Sequence, residues 1–378
     1  MENQKIFNQD GNEKDGTGRN GRRWIVALLV IAMQGAACAP KQTTFSLLSQ
    51  EQNFQQVTES KVMSKIDILW VIDNSGSMDP LQQNLVANFG AFIQNFQQKG
   101  FDFQIAVTTS DAYLASPAFN NNSALAKFRD GVGSKHSGYF VLTPSTPNLA
   151  QNFVINATQN SNGSGDERAF QSLLTSLNSP LNSGFPRPDA FLAVIILSDE
   201  DDFSDLTRPE ISWLRGGISD HNYNAPNLMT IDQVVAQLDQ ITGSTPANRR
   251  YNVSAITVLD SACRQQHAKD MPTTLIGKRY IQLANQTNGM LGSICDTSYA
   301  SSLNFIQQHI TELSTQFRLT GDPNPATIRV LVDYKLIPQD VSNGWTFDSS
   351  TNVITFHGGA VPSANSVINI TFDPLHLL

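Results

Sequence analysis

Asp73, Ser75 and Ser77 stand at alternate positions in the stretch VIDNSGSM, directly after the apolar run IDILW. A carboxylate at the end of a buried strand and two hydroxyls on the turn after it offer their oxygens to one point. A hard cation such as Mg²⁺ takes about six oxygens in octahedral array and accepts water in several of the positions. A second apolar run, AVIILS, ends in Asp199 and supplies a second acid. The stretch NGSGDERAF, just before a helical pattern, supplies a third hydroxyl in Ser164, with Asp166 as the alternative donor. Asp73, Ser75, Ser77, Ser164 and Asp199 therefore form the expected metal site, for Mg²⁺ or Mn²⁺. Asp111, after AVTTS, is expected beside it, and Glu200 is a further alternative ligand. Glu200, Asp201 and Asp202 are expected to strengthen cation binding or to set the charge a partner meets. The six histidines are scattered, with no pair at helical spacing, and neither Cys263 nor Cys295 sits in a CxxC, so zinc is disfavoured.

Bringing these residues together requires strands that end at one edge. From 64 to 317 apolar strands alternate with amphipathic helices: KIDILWVID, then DPLQQNLVANFGAFIQNFQQKG, then FDFQIAVTTS. After a polar loop over 111–163 come DERAFQSLLTSL, AFLAVIILSDE, a second loop over 200–228 and TIDQVVAQLDQI. The series closes with YNVSAITVLD, TLIGKRYIQLANQTNG, LGSIC and YASSLNFIQQHITELSTQF. Near-continuous apolar strands between such helices imply an α/β doubly wound, mostly parallel sheet covered on both faces. Ligands of such sheets sit beyond the carboxyl ends of the strands, where Asp73 and Asp199 lie. After 317 the pattern turns β-rich, with DSSTN as a hairpin connection, and 318–378 reads as a small β-sandwich-like module.

With Asp73-x-Ser75-x-Ser77 after one strand and Asp199 after a later one, the chain resembles the von Willebrand factor A domain family and its metal-ion-dependent adhesion site. The resemblance covers 64–317. It implies a Rossmann-like fold, a bound Mg²⁺ and a coordination position left for a partner protein's Asp or Glu carboxylate. The family usually has Thr where Ser164 stands, and many members have Gly where the acids follow Asp199. Within the family the chain is similar to bacterial lipoproteins that carry VIDNSGSM, SDEDD and a short β tail. The rim around the metal is expected from 111–163 and 200–228, with Trp213 and Tyr223 as aromatic anchors for the partner.

The N-terminus fits an envelope protein. Arg19, Arg22 and Arg23 precede WIVALLVIAM and small residues follow, the pattern of an export signal over 1–37. That apolar run falls short of the roughly 20 residues of a membrane span. Gly35-Ala36-Ala37-Cys38 resembles a lipobox, so Cys38 is the expected lipidation site, followed by a tether over 38–63. Ala39 after it favours the outer membrane. In an oxidising compartment Cys263 and Cys295 read as a disulfide, the alternative being two buried free thiols. The net charge of −8, without a long basic run, argues against nucleic acid. The expected function is non-catalytic, metal-dependent binding of a protein partner, in adhesion or envelope assembly. A structural envelope protein with a vestigial metal site is the alternative. A serine hydrolase using Ser77 would need a base that no His motif supplies, and a phosphatase of the DxD type would need an acid where Ser75 stands.

Overall fold

The computed structural model describes residues 65–119, 121–205, 223–246, 248–269 and 274–375. The expected signal, Cys38, the tether and Trp213 lie outside the described residues. Strand β1 (Lys65–Ile72) is buried along its length beyond Lys65. Its even-numbered apolar side chains, Ile66 to Ile72, join one hydrophobic cluster, while Leu69 and Val71 join another. That division is the two-residue period of a strand with both faces covered.

On the first face lie α1 (Asp79–Gln98), α2 (Leu149–Ala157) and α7 (Ala300–Ser314). Leu81, Leu85, Phe89, Phe92, Ile93 and Phe96 of α1 are all buried, as their spacing predicts, and Gly100 ends the segment at φ +71°. On the second face lie α3 (Ala169–Leu177), α4 (Ile231–Thr242) and α6 (Lys278–Gln286). Helix α4 carries the expected capping box of Thr230 and Gln233.

The sheet contains β1, β2 (Asp102–Thr109), β5 (Val141–Leu142), β6 (Phe191–Ser198), β7 (Tyr251–Thr257) and β8 (Leu291–Ser293). Its order is β5-β2-β1-β6-β7-β8, parallel throughout except for β5. Ile72 is level with Thr109 on one side and Leu197 on the other. The register therefore brings Asp73, Ser110 and Ser198 to the same carboxyl edge.

The stretch expected as a polar loop over 111–163 is built otherwise. It contains two 3₁₀ turns, a hairpin of β3 (Gly131–Val132) and β4 (Lys135–His136), the antiparallel edge strand β5, and α2. Asn and Gln break up the apolar pattern of α2, yet Leu149 and Phe153 bury against α1, where Phe153 stacks on Phe89. A second unanticipated element is α5 (Ser261–His267), capped by Asp260, whose carboxylate accepts the Cys263 N–H at 2.8 Å.

Beyond α7 the chain forms two three-stranded antiparallel sheets. One holds β9 (Phe317–Arg318), β12 (Trp345–Asp348) and β13 (Val353–Phe356). The other holds β10 (Arg329–Val332), β11 (Lys335–Ile337) and β14 (Ile368–Thr371). The DSSTN stretch joins β12 to β13 as expected. Asp333 and Tyr334 both adopt positive φ and fold β10 back onto β11. The described chain is thus mixed α/β, with a mostly parallel central sheet and small antiparallel sheets.

Candidate metal centre at the carboxyl edge of the sheet

Asp73 leaves β1 fully enclosed, and its own turn holds it. Oδ1 accepts the Ser75 N–H at 2.8 Å, the Asx turn expected of an acid two residues before a free N–H, and Oδ2 accepts the Ser198 hydroxyl at 2.7 Å. Ser75 Oγ and Ser77 Oγ lie 3.2 Å apart. Ser77 Oγ donates to Asp199 Oδ1 at 2.9 Å, across 122 residues of sequence. Asp73, Ser75, Ser77 and Asp199 are therefore one buried, hydrogen-bonded group.

Ser164 reaches the same edge through Asp111. The Ser164 N–H donates to Asp111 Oδ1 at 2.9 Å, and Asn74 Nδ2 donates to Asp111 Oδ2 at 2.9 Å. Asp111 thus ties the loop of Ser164 to the loop of Ser75. The Gly163 N–H adds a bond to the Asn74 carbonyl at 2.9 Å. Ser164 Oγ accepts from Tyr113 OH and from the Asp166 N–H, each at 3.1 Å. Asp166 is engaged elsewhere: its Oδ2 lies 2.7 Å from Arg168 Nη2 in a buried ion pair.

The acids after Asp199 are built into the fold. Asp201 accepts from the Arg279 and Asp202 N–H groups and from Tyr223 OH. Asp202 accepts from the Phe170 N–H at the start of α3 and from Ser204. These bonds engage Asp201 near the start of α6 and Asp202 near the start of α3. Tyr223 remains 41% exposed although its hydroxyl is tied to Asp201 at 2.9 Å.

Besides Ser198, Asn74 and Tyr113, three further residues at the site escaped the sequence reading. Gln82 on α1 donates to the Asp73 carbonyl at 3.0 Å and accepts the Gln159 N–H at 2.9 Å. His267 Nε2 lies 3.1 Å from Asp199 Oδ2. Glu167 is 1% exposed, and both of its carboxylate oxygens are buried without a hydrogen-bond partner. The helix read as starting at Asp166 begins at Ala169, after Arg168 in a non-helical conformation, so Glu167 belongs to the loop before it. The acid in GDERAF beside Ser164 was the available signal.

The acids of the donor set are buried close to one another. Burial first, then the Asp199 charge, pushes the Asp73 carboxyl up to about 6, against hydrogen bonds from Ser75 and Ser198. Burial also drives Glu167 well above the carboxylate range, reinforced by Asp73, Glu200, Asp199 and Asp111. Among the described residues no three His, Cys, Asp or Glu side chains converge as a metal-binding group. The donor set is instead two carboxylates with hydroxyls, beside an unpaired buried acid. Such a set fits a hard cation, which would relieve the repulsion between these carboxylates.

Cys263 and Cys295 are joined by a disulfide with Cα atoms 5.7 Å apart. Among the described residues no helix is long and apolar enough to cross a membrane.

No family model matches the chain, and no curated protein matches it. Among solved structures, the pilus adhesin SpaC from Lactobacillus rhamnosus GG in its open conformation is 13% identical over 82% of this chain and 38% of its own, with a TM-score of 0.40. Proximal thread matrix protein 1 from the mussel byssus is 15% identical over 68% of this chain and 50% of its own, with a TM-score of 0.35. A second structure of the adhesin aligns at 12% identity over 82% of this chain and 39% of its own, with a TM-score of 0.33. The chain spans half or less of the length of these proteins.

Proposed function

We propose that the chain is a von Willebrand factor A domain protein of the bacterial envelope that binds a protein partner through Mg²⁺ or Mn²⁺. The observation that carries the reading is the bond from Ser77 to Asp199 at 2.9 Å. It closes the DxSxS turn onto an acid from another strand, around the same edge that Ser164 reaches. Ser75, Ser77 and Ser164 would hold the cation with their hydroxyls. Asp73 and Asp199 would act directly or through water. The cation supplies a position for an Asp or Glu carboxylate of the partner and offsets its repulsion from the site's acids. The half-exposed ring of Tyr223, together with Trp213, would belong to the rim. Cys38 would carry the lipid that anchors the protein to the outer membrane.

The order of contacts favours binding over hydrolysis. A serine nucleophile needs an imidazole on its hydroxyl and a carboxylate behind the imidazole. Here the carboxylate of Asp199 is on Ser77, and His267 lies behind the carboxylate.

Calorimetric titration with Mg²⁺ and Mn²⁺ tests the site. Asp73→Ala is expected to abolish binding, and unchanged binding in that variant would remove the assignment. Pull-down from envelope extracts with and without chelator tests the partner. Capture that survives both chelator and Asp199→Ala would move the interface away from this edge.

A further inference from the structure

We propose that His267 is the positioning residue for Asp199 and that the Cys263–Cys295 disulfide holds His267 in place. The inference rests on the metal reading above. Both Asp199 oxygens are engaged: Oδ1 accepts from Ser77 at 2.9 Å, and Oδ2 lies 3.1 Å from His267 Nε2. The contact is a hydrogen bond to the carboxylate in the tautomer that carries its proton on Nε2. The two bonds fix the plane of the carboxylate and keep Oδ1 turned toward the DxSxS turn. Side chains that orient a metal ligand in this way act on affinity without touching the metal.

His267 ends α5, a helix of seven residues. A helix this short does not hold its own shape. Its ties include the Asp260 cap, the Arg264 side chain on the Thr274 carbonyl at 3.1 Å, and the disulfide. Cys263 precedes His267 by one helical turn, a spacing that puts both on one face. Cys295 follows β8 at the same edge of the sheet. The disulfide thus fastens one end of that face to the sheet, and the other end meets Asp199. The proposed ligand set uses none of these three residues.

Titration calorimetry with Mn²⁺ on the full chain decides the matter. His267→Ala is expected to weaken Mn²⁺ binding roughly 10–100-fold, as removal of a ligand's hydrogen-bond partner does. His267→Gln, whose side-chain Nε2 also donates, should recover most of the loss. Cys263→Ser with Cys295→Ser should weaken binding by a comparable factor, and adding His267→Ala to that pair should cost little more. Wild-type affinity in His267→Ala, or a Gln variant no better than Ala, would overturn the inference. Should the serine pair fail to fold, the two His267 variants still decide. Binding lost in Asp73→Ala but intact in His267→Ala rejects this inference alone. Asp73→Ala binding Mn²⁺ like the wild type, or a wild type that binds none, rejects the metal reading and this inference with it.

Discussion

With no cation bound, Asp73 loses more by folding than it gains. Burial and Asp199 lift its carboxyl to about 6, above the ordinary value of 3.8. Between those two values the folded chain holds the proton more tightly than the unfolded one. Stability from this group is therefore complete below about 4 and is lost as pH rises through about 6. A divalent cation replaces the proton, so its affinity should rise as the carboxyl ionises. Lowering pH from 7.5 to 5 should weaken Mn²⁺ binding markedly, and a flat affinity over that window in calorimetry would contradict the assignment. Asp73→Asn should behave oppositely in the two states. In chelator at pH 7.5 it should be more stable than the wild type, on the order of 1–3 kcal/mol, or a few degrees in Tm. With Mn²⁺ it should show no thermal shift. Asp73, the two serines and Asp199 were legible because each follows a strand that apolar runs mark out. His267 and Glu167 were not: one arrives on an unmarked helix, the other on a loop read as helix. That Asp201 and Asp202 are tied to the starts of α6 and α3 was not legible in the acidic run after Asp199, because composition does not show which backbone N–H a carboxylate meets.

At the scale of elements, the site depends on two loops meeting: the turn after β1 and the loop before α3. The succession of strands and helices along the chain and the hairpin near 350 follow from apolar periodicity and turn residues. The contents of 111–163 do not, because α2 and β5 are short and Asn and Gln interrupt the apolar residues of α2. The burial of α2 comes from the α1 surface it covers, and β5 is placed by its pairing with β2, neither of which a local pattern displays. The close approach of the two loops is similarly hidden. It occurs at Gly163, where a Cβ would stand 2.5 Å from Asn74 Nδ2 and 2.7 Å from the Asn74 carbonyl oxygen. The carbonyl is backbone and cannot swing aside. Gly163→Ala should push the loops apart, strain the Asp111 bridge and move Ser164 away from Ser75. Cation affinity should fall by at least tenfold, about 1.4 kcal/mol, while far-UV circular dichroism stays as in the wild type. An unchanged affinity would show that Ser164 is no ligand.

At the scale of the whole described unit, the antiparallel sheets after α7 are not appended through a linker. Leu319, Ile328, Val330, Trp345, Ile354, Phe356 and Ile370 belong to the same hydrophobic cluster as α1, α7 and one face of the central sheet. Phe317 packs edge-on against Phe356 with centroids 5.7 Å apart. Lys99, just after α1, donates to the Val361 carbonyl at 2.7 Å and accepts the Ala364 N–H at 3.0 Å. Sharing one cluster means that neither part can unfold without exposing the other's apolar surface, so the two should melt together. A ligand that binds only the folded state stabilises it by RT ln(1 + [L]/Kd). That stabilisation should then appear at residues that take no part in the site. Trp345 is such a reporter: it is 3% exposed, and its indole N–H is bonded to the Ile337 carbonyl at 2.9 Å. In a chain with the other tryptophans replaced by Phe, saturating Mn²⁺ should raise the melting midpoint read by Trp345 fluorescence by as much as that read by circular dichroism of the helices. Trp345→Ala should cost about 3–5 kcal/mol and lower the midpoint of the whole unit. A Trp345 transition that ignores Mn²⁺ while the helical signal shifts would mean two independent cores, and the shared cluster would then be a contact without thermodynamic coupling.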